Sequence, residues 1–237
     1  MNRDMNHDLK YAQSHLTEAV IRRFWKALTR SYPALCVNDG LSIEYHQEFT
    51  LRHVHAMVDK LTRCPGANVA CPLFQYDYDP PNSTPHHVTA ITLTQLPGQV
   101  CILSFFDPKG RGALHKRQEF LLMKVLARAI QQKTGRKVVV NIYQGDNLQK
   151  NDTIGLCQLF SLFYLYEYVT ELNGPHPPPL TTLSDPNAMV AFIRKKRRGF
   201  TNRTLFAFWN GYFQSLHQHQ SGHRHGSAAM EQHPVGR

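Results

Sequence analysis

Residues 157–169 read Cys-Gln-Leu-Phe-Ser-Leu-Phe-Tyr-Leu-Tyr-Glu-Tyr-Val, a stretch that is apolar nearly all round and contains neither Gly nor Pro. A helix with apolar residues on every side is buried in the protein core. We therefore predict a buried helix over residues 157–172, ended by Asn173-Gly174-Pro175. Cys157 falls in its first turn, where unpaired N–H groups and the positive end of the helix dipole favour a thiolate.

Alternating apolar residues upstream of this helix predict strands over residues 87–94 and 99–106, joined by a Leu-Pro-Gly turn into a hairpin. The Pro- and Tyr-rich stretch before them, residues 72–85, is expected to be a surface loop. Apolar spacing of three and four predicts a helix over residues 114–130, and a third strand follows at 138–143. These elements predict an α+β fold in which a mixed sheet of a few strands packs on the buried helix that carries Cys157.

Three segments are expected along the chain. Residues 1–63 hold two amphipathic helical patterns and are predicted to form a helical N-terminal lobe. Residues 64–216 would form the main domain, which contains the sheet and the buried helix. Residues 217–237 are rich in His, Gln, Ser and Gly and are expected to be a disordered tail.

Four polar residues stand at the edges of predicted elements in the order His87, Asp107, Gln149 and Cys157. Thiolate attack on an acyl carbon requires a base, a group that orients the base, and donors for the oxyanion. Cys157 would be the nucleophile and His87 its base, with Asp107 accepting from the other imidazole nitrogen. Gln149 would donate its side-chain amide to the oxyanion, and the Cys157 N–H would be a second donor.

Neighbouring residues offer alternatives for three of these positions. His86 competes with His87, which we prefer because the strand alternation begins there. Gln144 or Asn147 could replace Gln149 as the oxyanion donor, and Asp77 or Asp79 could replace Asp107 as the acid.

Local sequence matches resemble the CE clan of cysteine peptidases, which includes adenain, the ubiquitin-like-protein-specific proteases and the YopJ-type effectors. Residues 105–110, Phe-Phe-Asp-Pro-Lys-Gly, look like the aromatic-acid-Pro-x-Gly segment of adenain, and residues 149–157 look like the clan's approach from Gln to Cys. Residues 185–189 and the basic and aromatic segments after them are similar in layout to the C-terminal part of adenain. The resemblance covers residues 85–218 and is nearest to adenain in layout.

The resemblance implies a thiol protease that processes precursor proteins, as in viral maturation, or ubiquitin-like protein conjugates. Residues 157–162 also look like the run after the cysteine in YopJ-type enzymes, which implies an acetyltransferase that uses acetyl-coenzyme A. A catalytically silent nucleic-acid-binding protein is the third hypothesis. The predicted peptidase needs a protein substrate and no cofactor.

A net charge of +10 favours contact with nucleic acid or another polyanion. Much of the excess lies in two segments, residues 133–137 and 194–198. We predict that the second segment binds nucleic acid through Arg194, Lys195, Lys196, Arg197 and Arg198. The six-residue gap between Cys64 and Cys71 is wrong for a short zinc knuckle, so we expect free thiols and no metal site.

The compartment expected from sequence is the cytoplasm or nucleus, in a host cell or virion if the protein is viral. The N-terminus lacks the apolar stretch of a secretory signal, and no apolar run is long enough to span a membrane. An odd count of five cysteines favours a reducing compartment.

Overall fold

The structure is a computed structural model that describes residues 21–26, 35–37, 41–44, 51–64, 68–76, 87–110, 116–143, 148, 156–173, 185–197, 204–205, 207–208 and 211. The chain divides into two compact units, Met1–Phe200 and Thr201–Arg237. In the second unit the described residues are helical. None of the helices within the described ranges is long and apolar enough to cross a membrane.

A six-stranded mixed sheet forms the centre of the first unit. Its strands are β1 (Leu35–Val37), β2 (Leu41–Glu44), β3 (Asn68–Tyr76), β4 (His87–Leu96), β5 (Val100–Phe106) and β6 (Lys137–Ile142). The strand order is β1-β3-β4-β5-β6, and β2 pairs with the same edge of β3 as a separate short strand. β4 runs antiparallel to both β3 and β5, whereas β6 runs parallel to β5.

Helices cover both faces of this sheet. They are α1 (Leu51–Thr62), α2 (Lys116–Thr134), α3 (Cys157–Asn173) and α4 (Pro186–Arg197), with a further helical segment at 21–26. α1 and α2 pack against each other, α3 lies across β4 and β3, and α4 contacts β5 and α3. The predicted α+β fold, with a mixed sheet packed on a buried helix, is confirmed.

Strand alternation divides the core between the two faces. In β4, Ile91 and Leu93 belong to the cluster that α1 and α2 close. The alternate residues Thr92 and Thr94 bond instead to tyrosines of α3. Side chains of successive strand residues point to opposite faces, so β4 is buried on both sides and has an almost continuous apolar and Thr sequence. Most residues of α3 are buried on all sides of the helix, which agrees with the buried helix predicted from its apolar sequence.

Two predictions about the first part of the chain need correction. The loop predicted from residue 72 is wrong over its first part, because β3 continues to Tyr76; residues 77–86 lie outside the described residues. Residues 1–63 are not helical throughout, since β1 and β2 lie within this range and pair with β3. Strands of three and four residues are too short to show a periodicity.

Pro72 lies inside β3. Proline is normally confined to edge strands, so its presence in the sequence argued against a strand here. β1 pairs with residues 68–70 of β3 and β2 with residues 73–76. Pro72 falls between these two paired stretches. Neither β1 nor β2 is paired with it, so its missing N–H costs no hydrogen bond with these strands. On the other side it stands opposite Ala90 of β4.

α4 is a helix in a part of the chain for which no helix was predicted from the sequence. The Asp185 side chain accepts a hydrogen bond from the Asn187 N–H at 2.9 Å, and its carbonyl accepts from the Met189 N–H at 3.0 Å. Asp at the N-cap followed by Pro at the first helical position is a standard helix start.

Candidate active site

His87 and Asp107 meet where the start of β4 lies beside the end of β5. These strands are antiparallel, with Ala90 opposite Phe106, so the residue that opens β4 and the residue that follows β5 lie at one edge of the sheet. His87 Nε2 is 3.0 Å from Asp107 Oδ1, and each side chain is only 4% exposed. A buried carboxylate at this distance holds the imidazole in one orientation and stabilises its protonated form.

A tight turn fixes the Asp107 carboxylate. Its Oδ1 also accepts the Lys109 N–H at 2.8 Å, and its carbonyl accepts the Gly110 N–H at 2.9 Å. Gly110 has a φ of +54°, a backbone conformation in which a residue without Cβ is favoured. The Asp-Pro-Lys-Gly sequence therefore has a local purpose, which is to present the carboxylate to His87.

Cys157 is the first residue of α3 and is 4% exposed. The start of β4 lies against this first turn. The Val88 backbone helps to lower the pKa of the Cys157 thiol, and the Ser161 hydroxyl donates to the Val88 carbonyl at 2.8 Å. The structure thus brings His87, Asp107 and Cys157 together from three different elements.

The second imidazole nitrogen of His87, Nδ1, is the one that does not contact Asp107. Nδ1 is buried and has no hydrogen bond of ordinary geometry to a described residue. Cys157 nevertheless interacts with the ring strongly enough to influence its protonation. In resting enzymes such contacts are often long and tighten when substrate binds.

The electrostatics of the two side chains favour an imidazolium–thiolate pair. Burial alone would lower the pKa of His87, but the hydrogen bond to Asp107 and the interactions with Cys157 outweigh burial and raise the pKa to about 9. Burial would raise the pKa of Cys157, but His87, the Val88 backbone and the charge of Lys109 outweigh it and lower the pKa below its ordinary value of 9.0. The two protonation equilibria are coupled and belong to the pair.

The other described cysteines are unlike Cys157. Burial raises the pKa of Cys71 to about 12 and also raises the pKa of Cys101. Cys64 is disulfide-bonded, which corrects the expectation of a free thiol at that position, whereas Cys71 is free. Among the described side chains, no group of three His, Cys, Asp or Glu residues is arranged to hold a metal ion.

The other predicted site residues lie wholly or partly outside the part of the chain that the structure describes. Gln149 lies outside the described residues, as do its alternatives Gln144 and Asn147 and the competitors His86, Asp77 and Asp79. Residues 194–197 of the basic run form the end of α4, and Arg198 lies beyond the described part. The predicted roles of Gln149 and of the basic run therefore stay predictions.

Two residues near the thiol were missed by the sequence reasoning. Ser161 stands four residues after Cys157, which places it on the same helix face, and it is a small polar residue in an otherwise apolar and aromatic run. Lys109 follows Asp107 by two residues, and its charge acts on the sulphur. The helical spacing of Ser161 was readable in the sequence, but the influence of Lys109 depends on the turn that places it.

Comparisons with known proteins do not assign this chain to a family. No protein family profile matches the chain, and no curated protein matches it. The central domain of the uncharacterized Lpg1148 protein from Legionella pneumophila aligns with 73% of this chain and 89% of its own, at 16% identity and a TM-score of 0.38. A deletion variant of AvrA, solved with IP6 and CoA, aligns with 86% of this chain and 87% of its own, at 14% identity and a TM-score of 0.40.

Proposed function

We propose that this chain is an acyl-transfer enzyme with Cys157 as nucleophile, His87 as acid and base, and Asp107 as the residue that orients His87. The observation that carries the proposal is the buried 3.0 Å contact between His87 Nε2 and Asp107 Oδ1. Cys157 also raises the pKa of the same imidazole. The support for the proposal is that one buried cluster combines a base, its orienting carboxylate and a thiol of lowered pKa.

In the proposed reaction the Cys157 thiolate attacks the acyl carbon of the substrate, and a carbon–sulphur bond forms. The carbonyl π electrons move to the oxygen, which becomes an oxyanion. When the tetrahedral intermediate collapses, the bond to the leaving group breaks and protonated His87 donates its proton to that group. His87, now neutral, removes a proton from the acceptor that attacks the thioester, and the thiolate is regenerated.

The oxyanion needs donors near the start of α3. The N–H of Cys157 is one candidate, because the first N–H groups of a helix have no partner within the helix. We propose Gln149 as the second donor. A side-chain donor of this kind is worth roughly 2.7–4 kcal/mol in transition-state stabilisation.

Among acyl-transfer enzymes we put a peptidase first, with water as the acceptor and a protein as the substrate. The support is the segment 105–110, which resembles adenain and whose turn presents Asp107 to His87. The substrate would be a precursor protein or a ubiquitin-like conjugate. The basic run 194–198 would hold the enzyme on nucleic acid, which fits the net charge of +10.

An acetyltransferase is the second candidate, favoured by the run 157–162 and its resemblance to YopJ-type enzymes. The same thiol would accept acetyl from acetyl-coenzyme A and pass it to a hydroxyl or amine of a protein. Both candidates form a thioester at Cys157 and differ in the acyl donor and the acceptor.

Covalent labelling tests the proposal and separates the two candidates. Purified protein would be incubated with a ubiquitin-like-protein vinyl sulfone or a substrate-derived peptide equivalent, and separately with radiolabelled acetyl-coenzyme A. The peptidase predicts an adduct with the first class of probe, and the acetyltransferase predicts a hydroxylamine-labile acetyl group from the second. Each adduct should map to Cys157 and be absent from Cys157→Ala, whereas Cys71→Ala should label normally. Absence of both adducts from the folded protein would refute the proposed function.

A further inference from the structure

We propose that Ser161 is a positioning residue that holds the start of β4 against the first turn of α3, and so sets the approach of His87 to Cys157. This role in catalysis rests on the proposed function. The effect of Ser161 on the pKa of the Cys157 thiol does not rest on it, because thiol ionisation can be measured without any substrate.

The contact that carries the inference is a single buried hydrogen bond. The Ser161 hydroxyl donates to the Val88 carbonyl at 2.8 Å, and Ser161 is fully buried. Val88 directly follows His87, and Ser161 lies one helical turn beyond Cys157. The hydrogen bond therefore joins the neighbour of the base to the helix turn that carries the thiol.

Val88 is in contact with both residues of α3. Its carbonyl accepts the Ser161 hydroxyl, and its backbone also contributes to lowering the pKa of the Cys157 thiol. Losing the Ser161 hydroxyl would leave a buried carbonyl without this donor, and a buried acceptor recovers a partner by shifting. Any shift of Val88 also moves His87 relative to the sulphur.

The same strand and helix provide a matched control further from the thiol. The Thr94 hydroxyl and the Tyr168 hydroxyl are 2.6 Å apart, and both side chains are buried. This hydrogen bond also joins β4 to α3, but Tyr168 lies three turns beyond Cys157 and Thr94 lies at the other end of the strand. Tyr168→Phe removes this other buried hydrogen bond between β4 and α3, and leaves the Ser161–Val88 hydrogen bond in place.

The test compares the pH dependence of iodoacetamide labelling at Cys157 in the full-length wild type, Ser161→Ala, Ser161→Thr and Tyr168→Phe. We expect Ser161→Ala to label at least about threefold more slowly at neutral pH, because the thiolate fraction falls as the thiol pKa rises. Labelling should converge with that of the wild type at high pH. Ser161→Thr, which keeps a hydroxyl, should restore most of the rate, and Tyr168→Phe should keep the wild-type profile.

Folding is checked for every variant by circular dichroism and thermal melting. If Ser161→Ala does not fold, Ser161→Cys replaces it, and the readout becomes the pKa of His87 by NMR titration, which we expect to fall from about 9. An unchanged profile in Ser161→Ala, or an equal change in Tyr168→Phe, would overturn the inference. A changed profile in Ser161→Ala without any acyl adduct in the wild type would refute the proposed function alone.

Discussion

Replacing Asp107 by Asn removes the carboxylate from His87 while keeping nearly the same shape. The pKa of His87 is about 9 against an ordinary 6.5, and at about 1.4 kcal/mol per pKa unit this favours the imidazolium by roughly 3 kcal/mol. Burial acts in the opposite direction, so Asp107 and Cys157 together supply more than this net amount. The hydrogen bond to Asp107 is the largest single interaction that raises this pKa, so we expect its loss to change the protonation equilibrium at least about tenfold.

The assay is an NMR titration of the imidazole of His87 in wild type, Asp107→Asn, Cys157→Ala and the double variant. These four proteins form a cycle that separates the two partners of the ring. We expect the pKa of His87 to fall by more than one unit in Asp107→Asn and to fall further in the double variant. If the proposed function holds, turnover should drop by roughly 10²–10⁴-fold with the fold intact, as expected when a catalytic imidazole loses its orienting acid.

Asp59→Asn is the matched control. It makes the same chemical change at an exposed carboxylate that pairs with Lys133, on the α1 and α2 side of the sheet. The pKa of His87 should not change in this variant. A pKa of about 9 retained in Asp107→Asn would refute the electrostatic account of the site and would direct attention to Asp77 or Asp79.

Limiting iodoacetamide at neutral pH, followed by peptide mapping, should label Cys157 before Cys71 and Cys101. At pH 7 a thiol of pKa 9 is about 1% ionised and a thiol of pKa 12 about 0.001% ionised. Preferential labelling of Cys71 would therefore contradict the assignment of Cys157 as the nucleophile. The rate of acyl-adduct formation should fall as the pH rises through about 9, because His87 loses its proton there. The rate should also fall in acid, because the thiolate of Cys157 is protonated. A rate that still rises above pH 10 would contradict the imidazolium–thiolate pair. Filter binding to DNA or RNA should weaken steeply between about 50 and 200 mM salt, and neutralising residues 194–198 should flatten this slope while leaving cleavage of small peptides intact. A control variant with an equal charge change at exposed residues outside both basic segments should keep the slope. Its substitutions are Arg23→Gln, Lys60→Gln, Arg63→Gln, Lys124→Gln and Arg128→Gln. Absence of binding at low salt would contradict the predicted role of the run.

Long periodic elements were predictable from the sequence, and short or interrupted ones were not. β4, β5 and α3 have enough consecutive residues for alternation or an all-round apolar composition to be evident, and the structure confirms them within one or two residues at each end. β1 and β2 owe their strand conformation to pairing with β3, a tertiary effect that leaves no local pattern.

The proximity of the candidate site residues could be inferred, but the contacts that support them could not. His87, Asp107 and Cys157 stand at element ends, and a hairpin packed on a helix brings such ends together. The Ser161–Val88 hydrogen bond depends on how β4 docks on α3, and the charge of Lys109 depends on the Asp107 turn. Neither follows from spacing along the chain alone.

The most direct measurement is an ultraviolet titration of the thiolate, taken as the difference between wild type and Cys157→Ser. We expect a midpoint clearly below pH 9.0, because His87, Val88 and Lys109 together outweigh burial. The midpoint should move upward in His87→Ala, since the imidazolium that stabilises the thiolate is then absent. A midpoint at or above 9.0, or one that His87→Ala leaves unchanged, would contradict the claim that Cys157 is an activated nucleophile.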